Sequence, residues 1–156
     1  AAAEWSRELL RDDQLDYLRR LPAERRLAFG GELVLATHGS PGSQTAGLPA
    51  DLDAALTVQR VTRTDARVIA CGHTHVADVR ELGRKLLVNP GSCGYAFDGT
   101  PDACWGLLTL EEDAEPQAEL RRAAYDPSIA AEEVADRGLP GDVYRAATIR
   151  TGRFVR

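Results

Sequence analysis

The chain has 156 residues, 44% apolar and 28% charged, with 19 Lys and Arg against 24 Asp and Glu for a net charge of −5. That length fits one domain able to bury roughly two-thirds of its unfolded surface, which excludes disorder as the starting expectation. The acidic balance argues against a nucleic-acid platform, and no run approaches the roughly 18 apolar residues of a membrane span.

No signal-peptide pattern opens the chain. Cys71, Cys93 and Cys104 are an odd set without C-x-x-C spacing, so reduced thiols of a cytoplasmic protein are expected. There is no methionine and the chain opens Ala1-Ala2-Ala3-Glu4, which leaves open whether residues precede it.

In chain order, the first twenty residues read as helix: Trp5, Leu9, Leu10, Tyr17, Leu18 and Leu21 fall near the helical period, and Asp12 or Asp13 is the expected cap of a second short helix. Pro22 ends it. Arg26 to Phe29 and Glu32 to Thr37 are predicted strands joined by the tight turn Gly30-Gly31. Ser40 to Pro49 is loop by composition. Asp51 is the expected cap of a helix to about Thr62, with Leu52, Ala55, Leu56 and Gln59 along one face. Val68 to Cys71 is a short apolar run with β-branched residues, expected as a strand buried on both faces.

Val76 to Leu82 and Lys85 to Val88 are expected to pair across Gly83-Arg84, and Asn89-Pro90-Gly91-Ser92 is a predicted turn. Trp105 to Leu110 and Gln117 to Ala124 form a further strand pair around the solvated acids Glu111-Glu112-Asp113. Asp126 caps a helix with Pro127 at its first position and Gly138 just beyond its end, and Gly141 to Arg150 is a last helix. The expected architecture is a mixed α/β (α+β layered) domain rich in hairpins, with helices at both ends.

Three histidines carry the candidate chemistry. His38 closes the run Leu33 to Thr37, and His73 closes Val68 to Gly72; strand ends opening into loops are where sites are usually built. Residues two apart in an extended segment share a side, so His73 and His75 are expected to converge. A His-x-His pair plus a distant histidine suits Zn, Mn, Fe or Ni. Gly39 and Gly72 beside them would allow close approach of the backbone to a ligand. Cys71 reads as a small buried hydrophobe. Neither Ser40 nor Ser92 sits in a Gly-x-Ser-x-Gly frame, which argues against a serine hydrolase.

Thr37-His38-Gly39-Ser40-Pro41, then Cys71-Gly72-His73-Thr74-His75, then Asn89-Pro90-Gly91-Ser92 resemble the last motifs of the calcineurin-like metallophosphoesterases, in the order and spacing of their small bacterial branch. The resemblance runs from the Trp5 helix to the Tyr125-Asp126-Pro127 helix. It implies a two-sheet β-sandwich flanked by helices and a dinuclear centre of two divalent metal ions (Mn, Fe, Ni or Zn). His38 and His73 would ligate one ion and His75 the other, with Gly39, Gly72, Thr74 and Asn89 as site support. Two ions about 3.5–4 Å apart clamp a phosphoryl group, and a metal-bound hydroxide attacks it in line. The implied partner is a small phosphorylated substrate or a phosphoprotein; a homo-oligomer is left open.

The family's earlier motifs, Asp-x-His, Gly-Asp-x-x-Asp and Gly-Asn-His-Asp/Glu, do not occur, since Asn89 is the single asparagine and there is no fourth histidine. Residues 1–156 are therefore expected to be the C-terminal portion of one metallophosphoesterase domain, with the general acid and the bridging aspartate supplied by a preceding part. Two rival readings stand beside hydrolysis at two metals: a non-catalytic relative serving as a binding domain, and a mononuclear three-histidine zinc hydrolase.

Overall fold

Continuous apolar runs short enough to be strands bury themselves on both faces, and here they build the centre of the molecule. The computed structural model describes residues 2–156. Strands β1 (Glu24–Phe29), β2 (Glu32–Thr37), β3 (Val68–Ala70), β4 (Ala77–Leu82) and β5 (Lys85–Pro90) form one sheet in the order β1-β2-β3-β5-β4. β2, β3 and β5 run parallel, with Val34, Val68 and Leu86 in one row and Leu35, Ile69 and Leu87 in the next. Antiparallel β1 and β4 close the two edges.

Alternation sends these rows to opposite faces. On one face Leu35, Ile69 and Leu87 are fully buried with Leu48, Val61 and Cys71. Val61 belongs to helix α3 (Ala54–Val61), which makes the crossover from β2 to β3. On the other face Val34, Val68, Leu86 and Val88 pack beneath Leu108, Leu110 and Ala118. Those three come from or adjoin a second sheet, the hairpin of β6 (Ala103–Thr109) and β7 (Gln117–Ala123). The expected sandwich of two sheets with flanking helices is present, as five strands over two. Its hairpins, however, are docked around a parallel centre that patterning alone did not disclose.

At the start, α1 (Ala2–Leu9) is separate from α2 (Asp12–Arg20). The cap of α2 is Arg11, not an aspartate: the Gln14 side chain accepts from the Arg11 amide at 3.0 Å, while Asp12 and Asp13 fill the first turn. There they favour the positive end of the helix dipole. Tyr17, Leu18 and Leu21 stay largely exposed despite their period.

Helix α3 is capped by Asp53, whose carboxylate accepts from the Leu56 amide at 3.1 Å. The expected cap, Asp51, lies in the preceding turn, and the buried face carries Thr57 and Val61, with Leu56 exposed. Helices α4 (Pro127–Asp136) and α5 (Asp142–Thr151) pack through Ala131, Ala146 and Ile149. Asp126 caps α4 as predicted. No helix among the described residues is long and apolar enough to cross a membrane.

Asn89 and Pro90 are not in a turn. They end β5, opposite Asp78 and Ala77, and Gly91 at φ +79° turns the chain instead. A proline at the last strand position withholds an N–H where the ladder is already ending.

Candidate metal centre

The carboxyl ends of β2, β3 and β5 lie side by side, and the crevice outside such ends is where α/β sheets bind ligands. His38 follows β2 directly, His73 lies three residues past β3, and Asn89 is the penultimate residue of β5. The Gly72 amide donates to the His38 carbonyl at 2.9 Å, which extends the β2–β3 pairing into the loops.

Above that bond the two imidazoles meet. His73 Nδ1 is 3.2 Å from His38 Nε2, with the rings edge to face at 85°. Both side chains are exposed. Two nitrogens that each lie about 2.0–2.1 Å from one cation, at octahedral to tetrahedral angles, are themselves about 2.9–3.4 Å apart. The observed separation fits a pair of ligands to a single ion.

His73 is held in a strained turn. Its φ is +69°, and the Thr74 amide donates across it to the Gly72 carbonyl at 2.8 Å. This is the γ-turn of positive φ, a rare form, and such backbone costs about 1–3 kcal/mol wherever the surroundings enforce it. His75 is also left-handed, at φ +59°. Positive φ at both histidines breaks the extended geometry from which their convergence was expected.

His75 goes its own way. Its Nδ1 lies 2.6 Å from the Tyr95 carbonyl, and its ring stacks on Phe97 with centroids 4.6 Å apart at 13°. A carbonyl only accepts, so Nδ1 carries the proton and Nε2 of the neutral ring keeps its lone pair for a ligand. Among the described residues no group of three or more His, Cys, Asp and Glu converges to hold a metal ion. The arrangement presents two histidines together and a third separately anchored, which does not match one zinc ion on three rings.

The supporting residues act differently from the expectation. A Cβ on Gly39 would meet the carbonyl oxygens of Ser43 at 2.7 Å and Ala46 at 2.9 Å, so its bareness admits the following loop, not a ligand. A Cβ on Gly72 would find only an ordinary contact at 3.6 Å. Thr74 Oγ1 faces inward and accepts from Asn89 at 2.8 Å. Asn89 is 1% exposed, and its side-chain amide is spent on neighbouring chain atoms. Burial pushes the Cys71 thiol up to about 12, with Asp78 adding to the effect, so Cys71 is the neutral packing group its sequence suggested.

Four contributors carried no signal in the sequence. Gly47 touches the His73 ring: a Cβ there would lie 3.1 Å from His73 Cδ2 and 3.2 Å from Thr74 Cγ2. Its loop is tied down by Arg60, which donates to the Gly47 carbonyl, and by Arg80, which donates to the Leu48 carbonyl at 2.8 Å. Tyr95 acts through its backbone carbonyl, which no side-chain pattern can reveal.

The fold agrees with comparisons to known proteins. The chain superposes on a metallophosphoesterase from Sphaerobacter thermophilus with a TM-score of 0.74 at 22% identity, over 97% of this chain and 66% of that one. A protein of Pyrococcus horikoshii OT3 superposes with a TM-score of 0.71 at 17% identity, over 90% of this chain and 54% of the other. The chain therefore spans about two-thirds of the first structure's length and about half of the second's. No curated protein matches it. Residues 10–113, which include all three histidines and Asn89, match the family model of the calcineurin-like phosphoesterase superfamily domain. The chain belongs to the calcineurin-like phosphoesterase superfamily.

Proposed function

We propose that this chain contributes His38, His73 and His75 to a dinuclear metal centre that hydrolyses a phosphomonoester or phosphodiester. The observation that supports it most is the 3.2 Å approach of His38 Nε2 to His73 Nδ1 at the carboxyl ends of the parallel strands. His38 and His73 would hold one ion; His75, its Nδ1 committed to Tyr95, would offer Nε2 to the second. When bound, divalent ions supply Lewis-acid charge against the phosphoryl oxygens and bring bound water towards neutral pKa.

The chain's own residues fix geometry. The strained turn aims His73, the Tyr95 carbonyl sets the His75 tautomer, and the Phe97 ring limits how His75 can tilt. Three neutral imidazoles do not offset the charge of two dications, so carboxylate ligands from elsewhere complete the centre in this reading. Mn, Fe, Ni and Zn all suit imidazole. A small phosphorylated molecule is the proposed substrate, acting in the cytoplasm.

The test is hydrolysis of bis(p-nitrophenyl) phosphate with added Mn²⁺ by the natural full-length protein, together with metal analysis. About two ions per chain and metal-dependent turnover that His73→Ala reduces by 100-fold or more are expected. Undiminished turnover in His73→Ala would refute the reading.

A further inference from the structure

We infer that Asn89 is a positioning residue whose side-chain amide clamps both limbs of the strained turn presenting His73, and so sets the separation between His73 and His38. Its Nδ2 donates to the Gly72 carbonyl at 3.1 Å and to Thr74 Oγ1 at 2.8 Å, the residues on either side of His73. Its Oδ1 accepts from the Gly91 amide at 3.0 Å, which ties the clamp to the turn that ends β5.

Asn89 is 1% exposed and continues a strand whose preceding residues, Leu86, Leu87 and Val88, are buried hydrophobics. Packing alone would be met by another apolar residue, while a buried amide is tolerated only when its hydrogen bonds are made. Here both N–H groups and the carbonyl are engaged. The two N–H groups leave one nitrogen at fixed angles, so the atoms they bind are held at a fixed span. A turn with positive φ at a residue bearing a Cβ persists only where the surroundings over-determine it. The Gly72 carbonyl accepts from Asn89 and from the Thr74 amide together, and among the described residues Asn89 is thus the one side chain bonded to both flanks of His73.

The geometric claim stands without any metal; its consequence for metal affinity rests on the function proposed above. Side chains that orient ligands typically alter affinity 10–100-fold when removed.

The experiment compares the wild-type chain with Asn89→Ala, Thr74→Val and Leu86→Ala, all without metal and below their melting temperatures. The readout is the ring-proton NOE between His38 and His73. Leu86→Ala destabilises the far end of β5 and controls for general loosening. The NOE should be present in wild type and Leu86→Ala, lost in Asn89→Ala and weakened in Thr74→Val. Should Asn89→Ala not fold, Thr74→Val, at a partly buried site, decides by itself. Its absence from wild type, full retention in both site variants, or equal loss in Leu86→Ala would overturn the inference. Co²⁺ titration of the same proteins should show affinity 10–100-fold weaker in Asn89→Ala and unchanged in Leu86→Ala. A wild-type chain that takes up no Co²⁺ would count against the metal reading and leave the NOE result intact.

Discussion

His73 Nδ1 and His38 Nε2 come within 3.2 Å although they lie 35 positions apart in the chain. The pairing of β2 with β3 brings their strands together, and the bond from the Gly72 amide to the His38 carbonyl holds the loop roots in step. If the two rings share one ion, their removal should not be additive, because either loss already spoils the same site. His38→Ala and His73→Ala should each weaken Co²⁺ binding about 100-fold, and the double variant only slightly more. Isothermal titration of the four proteins measures this; additive losses would mean that the rings serve different ions.

Gly47 sits against the His73 ring, so that an added Cβ would press on it from 3.1 Å, and its loop cannot drift because Arg60 and Arg80 hold its carbonyls. Gly47→Val should therefore act on the ring and leave the fold in place. We expect a melting temperature within a few degrees of wild type and Co²⁺ affinity about tenfold lower. Arg60→Ala, which frees the loop, should partly restore binding in the Gly47→Val background. An affinity unchanged by Gly47→Val would show that the ring accommodates the added carbons freely.

How far the sequence announces this site depends on which atoms do the work. The three histidines were legible as candidates because metal-binding side chains stand out beside strand ends, whereas Asn89 read as part of a turn and entered only through the family resemblance. The Val68 to Cys71 run was legible as a doubly buried strand, since only a core position leaves every residue apolar. Parallel pairing was not legible: hairpin turns are marked by local residues such as Gly30-Gly31 and Gly83-Arg84, whereas β2, β3 and β5 meet through long connections. Backbone groups such as the Tyr95 carbonyl are identical in every residue and leave no trace in composition. The left-handed backbone at His75, φ +59°, is likewise a local conformation that the His-x-His spacing does not mark.

Tyr125 carries a buried hydroxyl with no hydrogen-bond partner among the described residues. Burial raises its phenol above the ordinary value of 10.0, and Cys93 and Asp102 add to the shift. The folded state thus favours the neutral phenol. The sign follows: this contribution is complete below pH 10 and is lost as pH rises through the folded value. Tyr125→Phe removes an unpaired polar atom, so at pH 7 it should be neutral or stabilising by about 1 kcal/mol. Its stability should also fall less steeply than wild type above pH 10. Urea unfolding at pH 7 and at pH 10.5 measures both; a loss exceeding 1 kcal/mol at pH 7 would show that the hydroxyl is bonded in solution.

Strand β1 forms one edge of the sheet, and its register sets Leu27 opposite Val34 and Phe29 opposite Glu32. Both side chains thus share the face that β6 and β7 cover over Val34, Val68 and Leu86. At the edge that cover thins, leaving Leu27 49% and Phe29 69% exposed. An edge strand with unpaired backbone groups and apolar side chains is a template for pairing with another chain. Replacing Leu27 and Phe29 together by Lys puts like charges on that edge, where repulsion opposes association, and the exposed sites should cost no more than about 1 kcal/mol. Sedimentation velocity across a concentration series should show self-association of this chain diminished in the double variant, with its Co²⁺ affinity unchanged because Leu27 and Phe29 pair with Val34 and Glu32, at the end of β2 remote from His38. Equal association in both proteins would move the sticky surface elsewhere, to the exposed Tyr17 and Leu18 of α2 and Leu21 at its C-cap.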